Sequence, residues 1–345
     1  MRLPAQLLVA ALALVPASAS LVHAQTPDSA LAVSRSGESL FRVNVDGGAT
    51  LGGTYDGGSN SGGIAAEGAG TRLLWYPQKA SFRAGYINGT QWDNANIGYF
   101  SVAIGQNVRA SGDNAVAMGL RSTAANTSSL AIGEDNTASG AASVALGYHA
   151  HTNARQGSFV FSDRSSVDTL RAGVNHSANW RTSGGFRIFT SSNQSTGVTI
   201  QSGAVTSNWG QANAVISTST GAVLTTGGVW QNSSDVNRKH LFLNVSGEDV
   251  LDRLRTVPIR SWSYKVEDDA VRHLGPTAQD FYHAFGLGTS ELSIGTVDAD
   301  GVALAGVQAL DRRTADQSAE IARLREENRA LTARIDRLEA LLAKP

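Results

Sequence analysis

The sequence predicts a mainly β, fibrous chain: a narrow β-solenoid or β-roll head and a β-rich stalk, then a small α+β domain that ends in a coiled coil. Three observations carry this expectation. A pentapeptide recurs every fourteen residues from Ser101 to Gly147. Glycine reaches 37 residues, and Ser, Thr and Asn crowd the first two thirds, while helix formers become frequent only near the end. From Val307 an apolar heptad runs through the remaining chain.

Residues 1–24 read as a signal peptide. Arg2 gives a positive start, Ala5 to Val15 is a short apolar run, and Val22-His23-Ala24 offers small residues at signal-peptidase spacing, with Ala17-Ser18-Ala19 as a second candidate cut. A membrane anchor is the competing reading, but the run falls short of the roughly 20 residues a bilayer requires. No other stretch is long and apolar enough to span. The expectation is an exported chain, secreted or at the cell surface, with no membrane anchor, because the sequence closes in a charged helix. Cysteine is absent, which excludes disulfides, thiol catalysis and cysteine-zinc sites. With 28 basic and 29 acidic residues, no bulk field steers the chain to nucleic acid.

Residues 25–97 form a glycine-rich β region. Gly47-Gly48, Gly52-Gly53, Gly57-Gly58 and Gly62-Gly63 punctuate short strands, and an aromatic stretch (Trp75, Tyr76, Phe82, Tyr86, Trp92) suggests a compact cap. The repeat occupies 98–161: Ser101-Val102-Ala103-Ile104-Gly105, Ala115-Val116-Ala117-Met118-Gly119, Ser129-Leu130-Ala131-Ile132-Gly133, Ser143-Val144-Ala145-Leu146-Gly147, and a degenerate Ser158-Phe159-Val160-Phe161. Apolar residues alternate within each copy and so share one strand face. The alanines face the other way, where a second surface can approach closely. The closing glycine permits a tight corner. Ala110-Ser111-Gly112 and Ala138-Ser139-Gly140 mark a second corner, giving two short strands per coil and a core that runs through stacked coils.

These repeats resemble the heads of YadA-type trimeric autotransporter adhesins. The resemblance implies a left-handed parallel β-roll packed as three copies; a monomeric solenoid is the alternative. The sequence does not name what the head binds; a host-surface or glycan receptor stays open. Residues 162–233, with runs such as Phe186-Arg187-Ile188-Phe189 and Val198-Thr199-Ile200, read as a β-rich stalk.

In the C-terminal heptad, Val307, Thr314, Ile321, Asn328, Ile335 and Leu342 take position a, and Leu310, Gln317, Leu324, Leu331 and Leu338 take position d. Glu320 with Arg325, and Arg334 with Glu339, suit interchain pairs. Ile at a, Leu at d and one Asn favour two strands. The head repeats imply three, and the larger β interfaces should decide in favour of three.

Between stalk and coil lie Ser233-Ser234-Asp235-Val236-Asn237-Arg238-Lys239, then Arg272-His273-Leu274-Gly275-Pro276-Thr277-Ala278-Gln279-Asp280. This order resembles the endosialidase-type intramolecular chaperones, self-cleaving domains of phage tailspikes and bacterial surface proteins, over 234–345. Ser234, Asp235 and Lys239 fit the family's opening motif, and His273, Gly275, Ala278 and Gln279 fit its later one. The resemblance implies a homotrimer-forming domain with a Ser-Lys dyad: Ser234 attacks the Ser233 carbonyl, Lys239 is the base, and His273 either orients the site or is a hydrogen-bonded core histidine. A serine hydroxyl needs such a neighbour to become nucleophilic. On one straight α-helix the two side chains would lie roughly 140° apart, so Ser234 is expected outside the helix, in the turn before it. The plain alternative is an N-cap followed by an exposed lysine.

No cofactor or metal is expected. The glycine pairs lack a following Lys-Ser/Thr, and the seven histidines show no ligand spacing. Two functions remain open at this stage: a self-processing assembly device, or an uncut adhesive fibre clamped by its C-terminal domain.

Overall fold

The computed structural model describes residues 29–35, 38–57, 66–203 and 209–343. The expected signal peptide and the glycine pair Gly62-Gly63 lie outside the described residues. The chain divides into two compact units, residues 1–217 and 218–345.

The first unit opens with three antiparallel strands, Ser29–Arg35, Glu38–Asn44 and Ala49–Leu51. A hairpin, Gly70–Tyr76 with Ser81–Ile87, then feeds the parallel stack. The pentapeptides become the strands Val102–Gln106, Val116–Leu120, Leu130–Glu134 and Val144–Tyr148, paired in register so that alanine sits on alanine and glycine on glycine. A second sheet of two-residue strands, among them Arg109–Ala110, Thr123–Ala124 and Thr137–Ala138, runs parallel beside it. The result is the two-strand coil expected from the repeat.

The alanine face is the one that the second sheet approaches, and it forms the interior. The continuous core is the small one: Ala103, Ala117, Ala131 and Ala145 from the first sheet and Ala110, Ala124, Ala138 and Ala150 from the second are fully buried in one cluster. The bulkier Val102, Ile104, Val116, Met118, Leu130, Ile132, Val144 and Leu146 point outward and remain partly exposed. Two strands per coil leave room inside for little more than facing Cβ atoms, so volume, not hydrophobicity alone, assigns the faces. The corner glycines obey the same constraint. Gly119 has φ +105°, and a Cβ there would lie 2.2 Å from the carbonyl oxygen of Gly133 in the next coil.

The parallel stack reaches beyond the pentapeptides on both sides. Phe82 pairs with Val102 and Gly85 with Gly105, which puts Arg83 in the place of an interior alanine. Its guanidinium is fully buried and donates to the carbonyls of Phe82, Ser101 and Ala110 and to the Ser101 hydroxyl. Burial without a carboxylate pushes its pKa down to about 10. Trp92, also fully buried, closes this end and donates its indole N–H to the Val108 carbonyl at 3.0 Å. The aromatic stretch thus supplies core at the roll's end through Trp92 and Tyr76, while Tyr86 stays exposed. At the other end Phe159–Ser162 and Ala178–Arg181 add two further strands. Beyond them the pattern becomes antiparallel, with Phe186–Phe189 on Gly197–Ile200, and Ala214–Thr218 carries the chain to the unit boundary.

The second unit holds the hairpin Val223–Thr225 with Trp230–Gln231, then helix α1 (Gly247–Thr256), the hairpin Arg260–Trp262 with His273–Gly275, helix α2 (Ala278–Phe285) and helix α3 (Thr296–Leu342). Ser246 and Thr277 cap α1 and α2 by accepting the backbone N–H of Asp249 and Asp280. Gly286, with φ +64°, closes α2. Val250, Phe281 and Val302 form the core, flanked by Phe285, Ile294 and Ala305. Helix α3 therefore begins before the heptad, and its first turns belong to this core. From Val307 the a and d side chains have no cover among the described residues: Ile321, Leu324, Leu331 and Ile335 are 43–54% exposed. Glu320, expected to pair between chains, is held within its own helix by Arg323.

Candidate functional site

The site is built at the junction between the Trp230–Gln231 strand and α1. Asp235 caps a single 3₁₀ turn, Val236–Arg238, its carboxylate accepting the Asn237 backbone N–H at 2.9 Å. That turn reverses the chain, so residues on either side of it meet. Lys239 is the residue that ends the turn, and its Nζ lies 2.7 Å from Ser234 Oγ. Arg238 donates to Ser233 Oγ at 3.1 Å. Ser234 stands outside the turn, as the sequence requires, although the helix it precedes is one 3₁₀ turn and not an α-helix.

Two further contacts hold this segment. Gly221 lies against it: a Cβ there would come within 2.5 Å of the Arg238 guanidinium and 3.1 Å of Ser233 Cβ, and its φ of +87° independently favours glycine. Asn232 donates from Nδ2 to Thr296 Oγ1, the first residue of α3, at 3.1 Å. The peptide between Ser233 and Ser234 is thus bracketed by a hairpin turn on one side and the start of the long helix on the other. Residues 232–240 are all exposed, and the extended segment after them carries Leu241, Phe242, Leu243 and Val245, each at least 68% exposed.

The later motif is placed elsewhere in the unit. His273 Nε2 lies 3.0 Å from Glu267 Oε2, and its ring packs on Trp262 and Tyr264 with centroids 4.7 and 5.5 Å apart. The Tyr264 backbone N–H and then His273 hold the Glu267 carboxyl below its usual range. His273 is therefore hydrogen-bonded but only half-buried, and its partners all lie in or beside its own hairpin. Gly275 ends that hairpin, opposite Arg260. Ala278 and Gln279 form the first turn of α2. The fold brings Ser233, Ser234, Asp235 and Lys239 together and leaves His273, Gly275, Ala278 and Gln279 in the supporting body. The roles of Arg238, Asn232 and Gly221 are not visible in the sequence. Arg238 adjoins Lys239, but its partner is set by the turn.

Residues 234–286 match the chaperone of endosialidase family. This match begins at Ser234, on the C-terminal side of the bracketed peptide. Two YadA head domain repeats match residues 97–122 and 124–150, within the parallel roll. No curated protein and no solved structure matches the chain. The two family matches support a trimeric fibre protein with an endosialidase-type chaperone domain, of the exported surface kind. Among the described residues no helix is long and apolar enough to cross a membrane, and no group of three or more His, Asp or Glu side chains could hold a metal.

Proposed function

We propose that residues 234–345 align three chains, drive the fibre's assembly and then detach themselves by cleaving the Ser233–Ser234 peptide bond. The observation that carries this reading is the 2.7 Å contact between Lys239 Nζ and Ser234 Oγ, at the boundary where the chaperone-type segment starts.

In the proposed reaction the Ser234 hydroxyl attacks the carbonyl carbon of Ser233, and its proton passes to Lys239. The C–N bond then breaks, and Lys239 returns the proton to the departing Ser234 amine. An ester links Ser233 to Ser234 Oγ; water hydrolyses it, leaving a carboxylate on Ser233 and a free amine on Ser234. Arg238 on Ser233 and Asn232 on Thr296 hold the scissile residues during attack. An amine accepts a proton only in its neutral form, which desolvation and nearby positive charge favour. The adjacent Arg238 supplies the charge. Neighbouring chains packed around α3 and the apolar segment 241–245 would exclude the water.

Three-chain assembly is supported by two unpartnered apolar faces: the outward ladder of the roll and the a/d stripe of α3. Intertwined β-structure has non-local contacts and folds slowly, so a helical seed speeds the search. Removing the seed afterwards leaves a product that resists unfolding kinetically. The test is the intact mass of the purified exported protein. Two fragments meeting at Ser233 and Ser234, replaced by one species in Ser234→Ala, support cleavage. One uncut species in both would leave only the clamp.

A further inference from the structure

Helices α1, α2 and α3 of the second unit enclose an apolar groove that opens to solvent. The buried Val250 and Val302 form its floor, Phe285 and Ala305 its walls, and the half-exposed Leu287 and Val297 its rim. Its volume is about 450 Å³. Gly301 also lines it, inside helix α3 and without a positive φ. Glycine inside a helix is less favourable than alanine, so its presence there needs a reason. The chain itself supplies none: outside its own helical turns, a Cβ at Gly301 would meet nothing within 4 Å among the described residues. The bare helix surface points to close approach by another chain.

The segment that follows Lys239 supplies the matching part. Leu241, Phe242 and Leu243 are 84%, 68% and 87% exposed. Residues 240–245 belong to no helix or strand and make no hydrogen bond among the described residues. Leu241 has φ +57°, a conformation that a bulky residue keeps only where its surroundings fix it. Both ends of the segment return to α3: Asn232 bonds Thr296, and Val245 lines the groove with Val297 and Gly301. Groove and apolar crest therefore belong to the same first turns of that helix. Exposed Val297 and Leu304 lead from the groove's rim to the stripe that starts at Val307. In three copies aligned along that stripe, each crest comes level with a neighbour's groove.

We propose that the Leu241–Leu243 crest of each chain seats in the groove of a neighbouring copy, over Gly301. This rests on the three-chain assembly proposed above and names the contact that makes the cleavage site a shared one. Phe242 is three residues from Lys239, so a seated crest draws that amine against the neighbour and out of water. Burial of the crest's apolar surface drives the contact. The helices of the groove are held by their own core, so only the crest is ordered on docking.

The chain has no cysteine, which makes disulfide trapping specific. Two differently tagged chains, both carrying Ser234→Ala, are co-expressed: one with Phe242→Cys, the other with Leu287→Cys. Oxidation is expected to join unlike chains, read by intact mass without reductant, while either variant alone stays unlinked. Gly301→Leu is the blocking variant. It adds a better helix former that meets nothing in its own chain, so helical circular dichroism and trimer mass stay unchanged. It should cut the mixed disulfide about tenfold or more and, in chains that keep Ser234, slow cleavage by a similar factor. Linkage of Phe242→Cys chains to one another, a link within one chain when both substitutions share it, or a mixed disulfide indifferent to Gly301→Leu would each overturn the proposal. A trimer without the mixed disulfide would overturn it too and leave the assembly reading standing; a monomer would remove both. The trapped chains are uncut, so loss of the cleavage reading alone does not alter the result.

Discussion

Lys239 Nζ reaches Ser234 Oγ, 2.7 Å away, across one 3₁₀ turn capped by Asp235. Five residues of α-helix would have carried the two side chains to different faces. The short turn lets the segment on either side double back, and it does so at the peptide that the proposed reaction cuts.

Lys239→Arg separates base chemistry from structure. Arginine keeps the charge and can still donate to Ser234, but it does not give up a proton near neutral pH. The variant should assemble normally and cleave slower by about 10³-fold or more, as losses of an activating group do elsewhere. Quantitative gel densitometry over time, beside native mass, reads both. Cleavage at the normal rate would remove Lys239 from the mechanism.

Leu324 and Leu331 are 43% and 53% exposed on the apolar stripe of α3. Replacing both with Asp should cost about 2–5 kcal/mol per buried leucine in the assembled coil and dissociate it. Native mass spectrometry should then find a smaller assembly, and cleavage should slow because the site loses its neighbouring chains. Rapid cleavage by a monomeric variant would break the link between assembly and chemistry.

Two backbone substitutions in the roll should act in opposite directions. Gly119→Ala places a methyl against the Gly133 carbonyl at a positive φ and should destabilise by about 2–4 kcal/mol. Ala142 sits at φ +49°, where Asn114, two coils earlier, has φ +56°. Ala142→Asn should therefore stabilise by about 0.5–1 kcal/mol, since asparagine tolerates this region better than alanine. Thermal midpoints measured at one scan rate report the two signs.

Asp163 has a carboxyl held well below its ordinary value of 3.8, chiefly by the Ser165 hydroxyl, with Ser183 contributing through its backbone N–H and hydroxyl. A depressed carboxyl pKa stabilises the fold fully above the ordinary value and loses that contribution as pH falls through the lowered one. Wild type should thus lose stability in acid faster than Asp163→Asn, and the gap should open only below about pH 4. Parallel acid-limb curves for the two proteins would refute the assignment.

Much of the roll is legible in the sequence alone. A period of fourteen with alternation and a closing glycine encodes strand, corner and stacking, because each is a local property of spacing and Cβ volume. Which ladder would be interior was not legible: Val102 and Ile104 alternate with Ala103 equally well in either orientation, and only the closeness of the two sheets selects the alanines. Arg83 was hidden for a related reason. Ser81-Phe82-Arg83-Ala84-Gly85 keeps the repeat's serine and glycine but lies twenty residues before Ser101, off the fourteen-residue period, and an arginine stands where the repeat has its core alanine.

At the junction, the sequence by itself determined the residue types, a hydroxyl and an amine with an N-capping Asp between them, and the change from β to helical composition around them. Only the tertiary structure decided that a 3₁₀ turn joins Ser234 to Lys239, that Arg238, Asn232 and Gly221 hold the segment around the Ser233–Ser234 peptide, and that His273 faces Glu267. The division follows from range. Propensity and periodicity act over a few neighbours, whereas Asn232 meets Thr296 across 64 residues, and a contact of that separation is set by packing of the whole unit.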